Sequence, residues 1–317
     1  METNGTISRP PTPRELFRDR WFRGLTKVFA WMTILLVVMI VLQIARAAAP
    51  TIAEHGLEPL GSQNWDGKTQ FGILPQIWGT LYSSILGVAI GALFGVAVAI
   101  FLTQDFIPPR WELALKNIVE LLAAIPSVVY GLWGIFVVIP AIRPACNWIH
   151  EQLGWIPLFD TPLIGPGMLP AALVLAIMVL PTITAISRDS LASVPPRLRE
   201  AAFGLGATRW ETILAVVLPT AARGVWGSII LAFGRALGET MALAMLVGNT
   251  NVMSWSMFAP ADTLAALLAN KFPEASQVEE QALMYAALVL LAITMLVNVF
   301  GTWIVTRRAN ALAGAVR

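Results

Sequence analysis

The stretch Glu200-Ala201-Ala202-Phe203-Gly204-Leu205-Gly206, running on to Val216-Val217-Leu218-Pro219, is a polar, helix-capable connection between two long apolar runs. Gly206 stands four residues after Ala202, and Val216 ten residues after Gly206. Arg188, Arg197, Arg199, Arg209 and Arg223 flank it. A membrane chain that keeps so long a basic segment between spans presents it to something at the bilayer surface. The segment reads as a docking element.

Composition sets the rest of the frame. Of 317 residues, 57% are hydrophobic and 13% charged, and the mean hydropathy is +0.71. Soluble domains are nearer half apolar and about a quarter charged. Crossing a bilayer takes about 20 apolar residues. Six runs meet that length, at 25–45, 77–103, 113–140, 168–187, 225–248 and 283–305. The expected fold is all-α and integral to the membrane, with one transmembrane domain of six helices. Pro126 and Pro181 predict kinks in the third and fourth spans. Gly87, Gly91 and Gly95 make two overlapping GxxxG steps, a face on which another helix packs closely.

Charge gives the orientation. The segments before the first span, after the second, after the fourth and after the last hold most of the 21 Lys and Arg, from Arg9 through Arg317. The opposite connections carry only Arg46, Lys68, Arg143 and Lys271. The positive-inside rule then places both termini and the Glu200 loop in the cytoplasm. The first apolar run has a basic flank and is followed by Ala45-Arg46-Ala47, like a secretory signal. Its apolar stretch exceeds the roughly 7–15 residues of a signal core, so it reads as a retained anchor. The domain reading is 1–30 as a cytoplasmic segment with an interfacial amphipathic helix, and 31–76 as the first span and its external loop. Residues 77–305 form the transmembrane domain with a coupling loop at 188–224, and 306–317 the cytoplasmic tail.

Several functions are excluded. A net charge of +2 is too small to suggest nucleic acid, and the lone Cys146 rules out an intrachain disulfide framework or a multi-cysteine zinc site. Gly67-Lys68-Thr69 looks like the end of a phosphate-binding loop, but Ser62 occupies the position where that loop needs glycine. His55 and His150 each stand alone, and there is no HExxH or GxSxG. The chain therefore reads as no enzyme, with no cofactor of its own. Any ATP it uses is bound by another subunit.

The costly residues are Arg235 and Glu239 within the fifth apolar run. A charge at mid-span costs about 2.5–3.5 kcal/mol on insertion scales. Residues four apart on a helix share a face, so the two are expected to pair. Ser228, Ala232, Gly238 and Ala242 share roughly that face, which suits a helix lining a pathway. One reading is an ion pair that fixes packing. The other is an Arg that meets a passing oxyanion through its planar fork, with the carboxylate holding or releasing it. Glu120 at the start of the third run is a lesser pathway candidate, or simply an interfacial carboxylate.

Four segments carry a family resemblance. They are the Glu200 loop, Glu120 through Gly134, Arg235-Ala236-Leu237-Gly238-Glu239-Thr240-Met241-Ala242, and Val247-Gly248-Asn249-Thr250. The loop resembles the EAA loop of ABC importer permeases, with Val216 where isoleucine is usual. Together the segments resemble the PstC-type permeases of the bacterial high-affinity phosphate importer, from the second span onward. The resemblance implies a type I (MetI-like) importer permease fold in the bacterial inner membrane. It implies a PstA-like sister permease, two copies of a PstB-like ATPase that bind ATP and magnesium, an external phosphate-binding protein, and a regulatory link to a phosphate sensor kinase. It assigns Arg235 and Glu239 to phosphate passage, and Glu200, Ala201, Ala202, Gly206, Leu218 and Pro219 to ATPase coupling. The residues alone leave open a stand-alone secondary anion transporter or channel, or an importer permease for another oxyanion.

Overall fold

The structure, a computed structural model, describes residues 12–104 and 106–314, with side chains to residue 307. Arg9 and Arg317, counted in the charge bias, lie outside the described residues. Among the described residues, six helices are long and apolar enough to cross a membrane: Pro13–His55, Leu74–Phe101, Ser127–Leu153, Met168–Ala192, Arg209–Leu237 and Gln277–Arg307. The number matches the six apolar runs; several boundaries do not.

Helix α1 (Pro13–His55) begins with a reciprocal cap. Thr12 Oγ1 accepts from the Glu15 amide, and the Thr12 amide donates back to the Glu15 carboxylate at 2.8 Å. The interfacial helix expected within 1–30 is, from Pro13 on, continuous with the first span. Nothing in it forces a turn, because Pro13 sits in the first helical turn, where its missing N–H costs nothing. The helix ends at Gly56, whose φ of +56° favours glycine.

A short turn, α2 (Glu58–Gly61), leads to α3 (Leu74–Phe101). The expected glycine face of α3 packs against α7 (Met168–Ala192). A Cβ on Gly87 would lie 3.0 Å from Leu175, and one on Gly91 2.7 Å from Val179. Close backbone approach through small residues is how helices associate in lipid, where apolar burial gives little drive. Helix α7 is the centre of the bundle; Ala171, Ala172, Val174, Val179 and Ile183 are fully buried. Pro181 lies inside α7 without ending it.

The third span differs from the expected 113–140. Helix α4 (Pro109–Ala124) stops before Pro126, and α5 (Ser127–Trp133) starts after it. Ile125 is extended at φ −73°, ψ 128°, the conformation a following proline enforces. Pro126 thus breaks the run rather than kinking it. The span proper continues from α5 through a π-helical turn (Gly134–Val138) into α6 (Ile139–Leu153).

The fifth span is also shifted from the expected 225–248. After α8 (Pro196–Gly204), the chain enters α9 (Arg209–Thr212), a π-helical turn (Ile213–Val217) and α10 (Leu218–Leu237). The helix stops at Gly238, and Met241–Leu246 forms a separate short α11. Helix α12 (Leu264–Lys271) is buried through Leu264, Ala265, Ala266 and Leu267. The last helix is α13 (Gln277–Gly314). It packs along α1, whose other faces are exposed in the isolated chain. Apolar exposure of this extent belongs in lipid or against another membrane helix.

Candidate functional site

The Glu200 segment folds as expected into a short helix. Pro195 and Pro196 start α8, and its end is closed by backbone bonds that include Leu205 N–H to Ala201 O (3.1 Å), Gly206 N–H to Phe203 O (2.9 Å) and Ala207 N–H to Ala202 O (3.1 Å). Gly206 has φ +86° and open space around its missing Cβ. Glycine is required there by backbone conformation, not by crowding. Thr208 then caps α9, accepting from the Glu211 amide while its own amide donates to the Glu211 carboxylate at 2.7 Å. Ala202 is buried, while Glu200 and Ala201 are exposed. Leu198 and Phe203 are exposed as well, and Leu205 is 90% exposed. Leu218 is half-buried and Pro219 exposed at the start of α10. Beneath the loop, Leu191, Val194, Ile213 and Val217 join Ala99 and Ile100 of α3 in one apolar cluster. The arrangement is a rigid base carrying a projecting helix with an apolar tip, suited to enter a groove on another protein.

Arg235 and Glu239 do not form the expected pair. Arg235 occupies the last turn of α10, and the helix ends at Gly238, whose N–H bonds Arg235 O at 3.2 Å. Glu239 therefore leaves the helical path before it lies one turn above Arg235. Among the described residues no salt bridge joins them. Arg235 instead reaches across to α7, where its Nη1 donates to Thr182 Oγ1 at 3.5 Å. Arg235 is exposed in the isolated chain, and Glu239 half-buried.

The small face of α10 also has a different role from the one expected. Ser228 and Ala232 are fully buried, and Ser228 Oγ lies 2.9 Å from Ser187 Oγ on α7. That face is a packing seam, and Arg235 emerges at its edge. The short α11 carries Ala242 into the core beside Tyr130, Leu243 and Leu246. It is held by the expected Val247–Thr250 motif: Gly248 and Asn249 have positive φ, and Asn249 Nδ2 donates to Ala244 O at 2.7 Å.

Thr182 also lines a cleft of about 260 Å³ between α4 and α7, shared with Glu120, Lys116, Pro181 and Arg188. Glu120 lies 3.9 Å from Lys116, an i,i+4 pair with both side chains largely exposed. The structure thus brings Glu120 and, through Thr182, Arg235 to one cleft. A second cleft of about 500 Å³ adjoins it through Leu102, Lys116 and Arg188 and reaches Glu112 and Arg199. Thr182, Lys116, Arg188 and Arg199 were not singled out from the sequence as pathway residues. The Lys116–Glu120 spacing was the one local signal for them; the rest depends on tertiary placement.

At the other end of the bundle, Asp262 is 6% exposed beneath the connection between α11 and α12. Its carboxylate accepts from Gln76 Nε2 at 3.2 Å and from the Thr263 amide at 2.8 Å. Burial outweighs those bonds and the charge of Lys271, and pushes its pKa up to about 6. The Gly67-Lys68-Thr69 segment is a turn around Asp66, whose carboxylate accepts from the amides of Lys68, Thr69 and Gln70 at 2.8 Å each. Those bonds hold its pKa well below the usual carboxylate range. Among the described residues no group of three or more His, Cys, Asp or Glu is placed to hold a metal ion.

Comparison with known proteins gives these features a family. Residues 91–310 match the model of the binding-protein-dependent transport system inner membrane component. The phosphate transport system permease protein PstC of Mesorhizobium japonicum is 36% identical over 97% of this chain and 96% of its own. The protein of the same name from Haemophilus influenzae is 35% identical over 93% and 96%. The probable ABC transporter permease YqgH of Bacillus subtilis is 37% identical over 80% and 78%. Among solved structures, a bacterial alginate ABC transporter aligns with TM-score 0.62 at 15% identity, covering 90% of this chain and 95% of the other. The MetNI methionine ABC transporter aligns with TM-score 0.55 at 18% identity, covering 74% and 95%. These distant likenesses carry the fold, that of the type I importer permeases. As a permease subunit the chain does not catalyse, and ATP hydrolysis resides on a partner subunit. The chain belongs to the binding-protein-dependent transport system inner membrane components, multi-pass proteins of the bacterial inner membrane, and within them to the PstC-type permeases.

Proposed function

We propose that this chain is the PstC-type permease of an ATP-driven phosphate importer. It pairs with a PstA-like permease, two copies of a PstB-like ATPase that bind ATP and magnesium, and an external phosphate-binding protein. Both termini and the Glu200 loop face the cytoplasm. The observation that carries the reading is the projecting α8 with Leu205 90% exposed, set on the end of the bundle that also holds the Arg188 and Arg199 cleft. Glu200, Ala201, Ala202 and Gly206 shape that docking helix, and Leu218-Pro219 begins the span it moves.

Arg235 meets the anion in passage. Among the described residues its only side-chain bond is the long one to Thr182, so its fork is free to donate to an oxyanion. Glu239, just past the helix end, adds a nearby negative charge that favours release, and Glu120 lies further along the same cleft. Alternating access follows from the docked ATPase pair closing on ATP and passing its motion through α8 to the π-helical turn and α10.

The test is labelled phosphate uptake by cells lacking this subunit, complemented with the wild-type chain, with sulfate and molybdate run alongside. Phosphate-selective rescue supports the reading. Rescue of another oxyanion alone, or uptake by this chain in liposomes without an ATPase, contradicts it.

A further inference from the structure

We propose that Lys116, Arg188 and Arg199 form an inner oxyanion site, in which the coupling helix itself supplies one of the cations. The inference rests on the importer reading for its place in transport. Its geometry stands independently of that reading.

The adjoining clefts share Leu102, Lys116 and Arg188, so they form one passage from Thr182 to Arg199. The three cations come from three elements, α4, α7 and α8, and converge on one space. Glu112 and Glu120 also line it, so three cations share the wall with two carboxylates, and Arg188 is paired with Asp189 at its edge. Neither carboxylate holds a cation tightly: among the described residues the ion pair between wall residues is Lys116–Glu120, at 3.9 Å. Arg188 places Nε and Nη2 on a single oxygen of Asp189, at 3.1 and 2.9 Å, which leaves its Nη1 uncommitted.

Arg199 is the informative residue. Its Nη2 donates to Leu191 O at 3.0 Å, which anchors α8 to the end of α7. Its Nε is buried and has no acceptor. A buried donor without a partner is unfavourable, and an anion that drew the guanidinium a short way into the cleft would give it an acceptor. Arg199 directly precedes Glu200, so any displacement of the docking helix carries this cation with it. The site is complete while α8 is seated as it is here and loses a ligand when α8 shifts. Release to the cytoplasm is thereby tied to the position of the coupling helix.

The recognised chemistry is a tetrahedral phosphate group. Free orthophosphate and a lipid headgroup both offer it, and the test separates them. The assembled complex of both permeases and the ATPase, nucleotide-free and without binding protein, is placed in phosphatidylcholine nanodiscs. Equilibrium dialysis then measures labelled orthophosphate. The expected result is saturable binding that weakens about tenfold in Arg188→Gln and in Arg199→Gln, the loss typical of one charged hydrogen bond. Arg188→Lys should retain part of it. Lys116→Gln, at a half-buried position of α4, serves as a further variant if either Arg substitution disturbs assembly, which co-elution of the ATPase reports. No saturable binding, or equal binding by wild type and variants, overturns the proposal. Loss of orthophosphate binding when phosphatidylglycerol replaces phosphatidylcholine assigns the site to a headgroup and overturns its role in release. Binding without phosphate uptake by the same wild-type complex rejects the importer reading and leaves the site standing.

Discussion

Arg235 on α10 donates to Thr182 on α7 at 3.5 Å, while Glu239 lies beyond the end of the helix that carries Arg235. Two charges read from the sequence as an intrahelical pair are therefore separate groups in this conformation. At that length the bond to Thr182 is weak. Thr182→Val should shift the stability of the assembled complex by less than about 0.5 kcal/mol. A double-mutant cycle on Arg235→Gln and Glu239→Gln, read by thermal denaturation of the nucleotide-free complex, should return additive effects. A coupling energy above about 1 kcal/mol would mean that the pair is closed in that state.

Gly206 makes a different demand. Its φ of +86° strains any residue with a Cβ, although nothing surrounds it. Gly206→Ala should cost about 1–2 kcal/mol locally, and Gly206→Asn less, because asparagine tolerates positive φ. The chain should still insert in the membrane. The expected loss is in ATPase stimulation by the loaded binding protein, with alanine worse than asparagine. Normal stimulation in the alanine variant would count against the docking role of the loop.

Helix packing offers graded tests. A side chain on Gly91 would press on Val179 and on the Ala176 carbonyl, at 2.7 and 3.0 Å from the Cβ alone. Gly91→Leu should lower complex stability by more than about 2 kcal/mol, through overpacking of the α3–α7 seam. Gly24, with nothing within 4 Å, is the control. Gly24→Ala should be neutral or stabilise α1 by about 0.5–1 kcal/mol. Thermal melts of the purified complex compare them.

Asp262 predicts a pH response of the connection between α11 and α12. Its pKa is raised to about 6 in the folded chain, mainly by burial. The folded state then binds the proton more tightly than the unfolded one, so its stabilising contribution is complete below the ordinary carboxylate pKa. That contribution falls as pH rises toward 6 and stays lost above it. The difference is on the order of 2–3 kcal/mol. Hydrogen exchange across 249–264, corrected for intrinsic rates, should show more opening at pH 7.5 than at pH 5. Asp262→Asn should flatten that dependence, and an unchanged profile in that variant would remove Asp262 as its source.

Much of this molecule was legible in its sequence, for reasons that also explain the misses. Apolar run length depends on bilayer thickness, so the six spans were visible. The Gly87, Gly91 and Gly95 face was visible because small residues in lipid signal close packing. Hydropathy does not register caps. Pro126 broke a run that it was expected to bend, since Ile125 is forced extended. Gly238 ended the fifth span ten residues earlier than its apolar content suggested, and the helix began sixteen residues earlier, at Arg209, through polar residues a window rejects. The expected Arg235–Glu239 pair failed for the same reason, as it assumed a continuous helix. Thr182 and Arg199 could not be recognised as cleft residues, because α4, α7 and α8 meet only through tertiary packing.

Arg235 is proposed to contact phosphate in passage. The most direct test of that contact is labelled phosphate uptake by cells lacking this subunit and complemented with wild type or Arg235→Gln at equal membrane abundance. The expected result is rescue by wild type and at least a tenfold loss in the variant, the effect of removing one charged hydrogen bond, with ATPase association intact. Equal rescue by both would contradict it and leave Arg235 a packing residue.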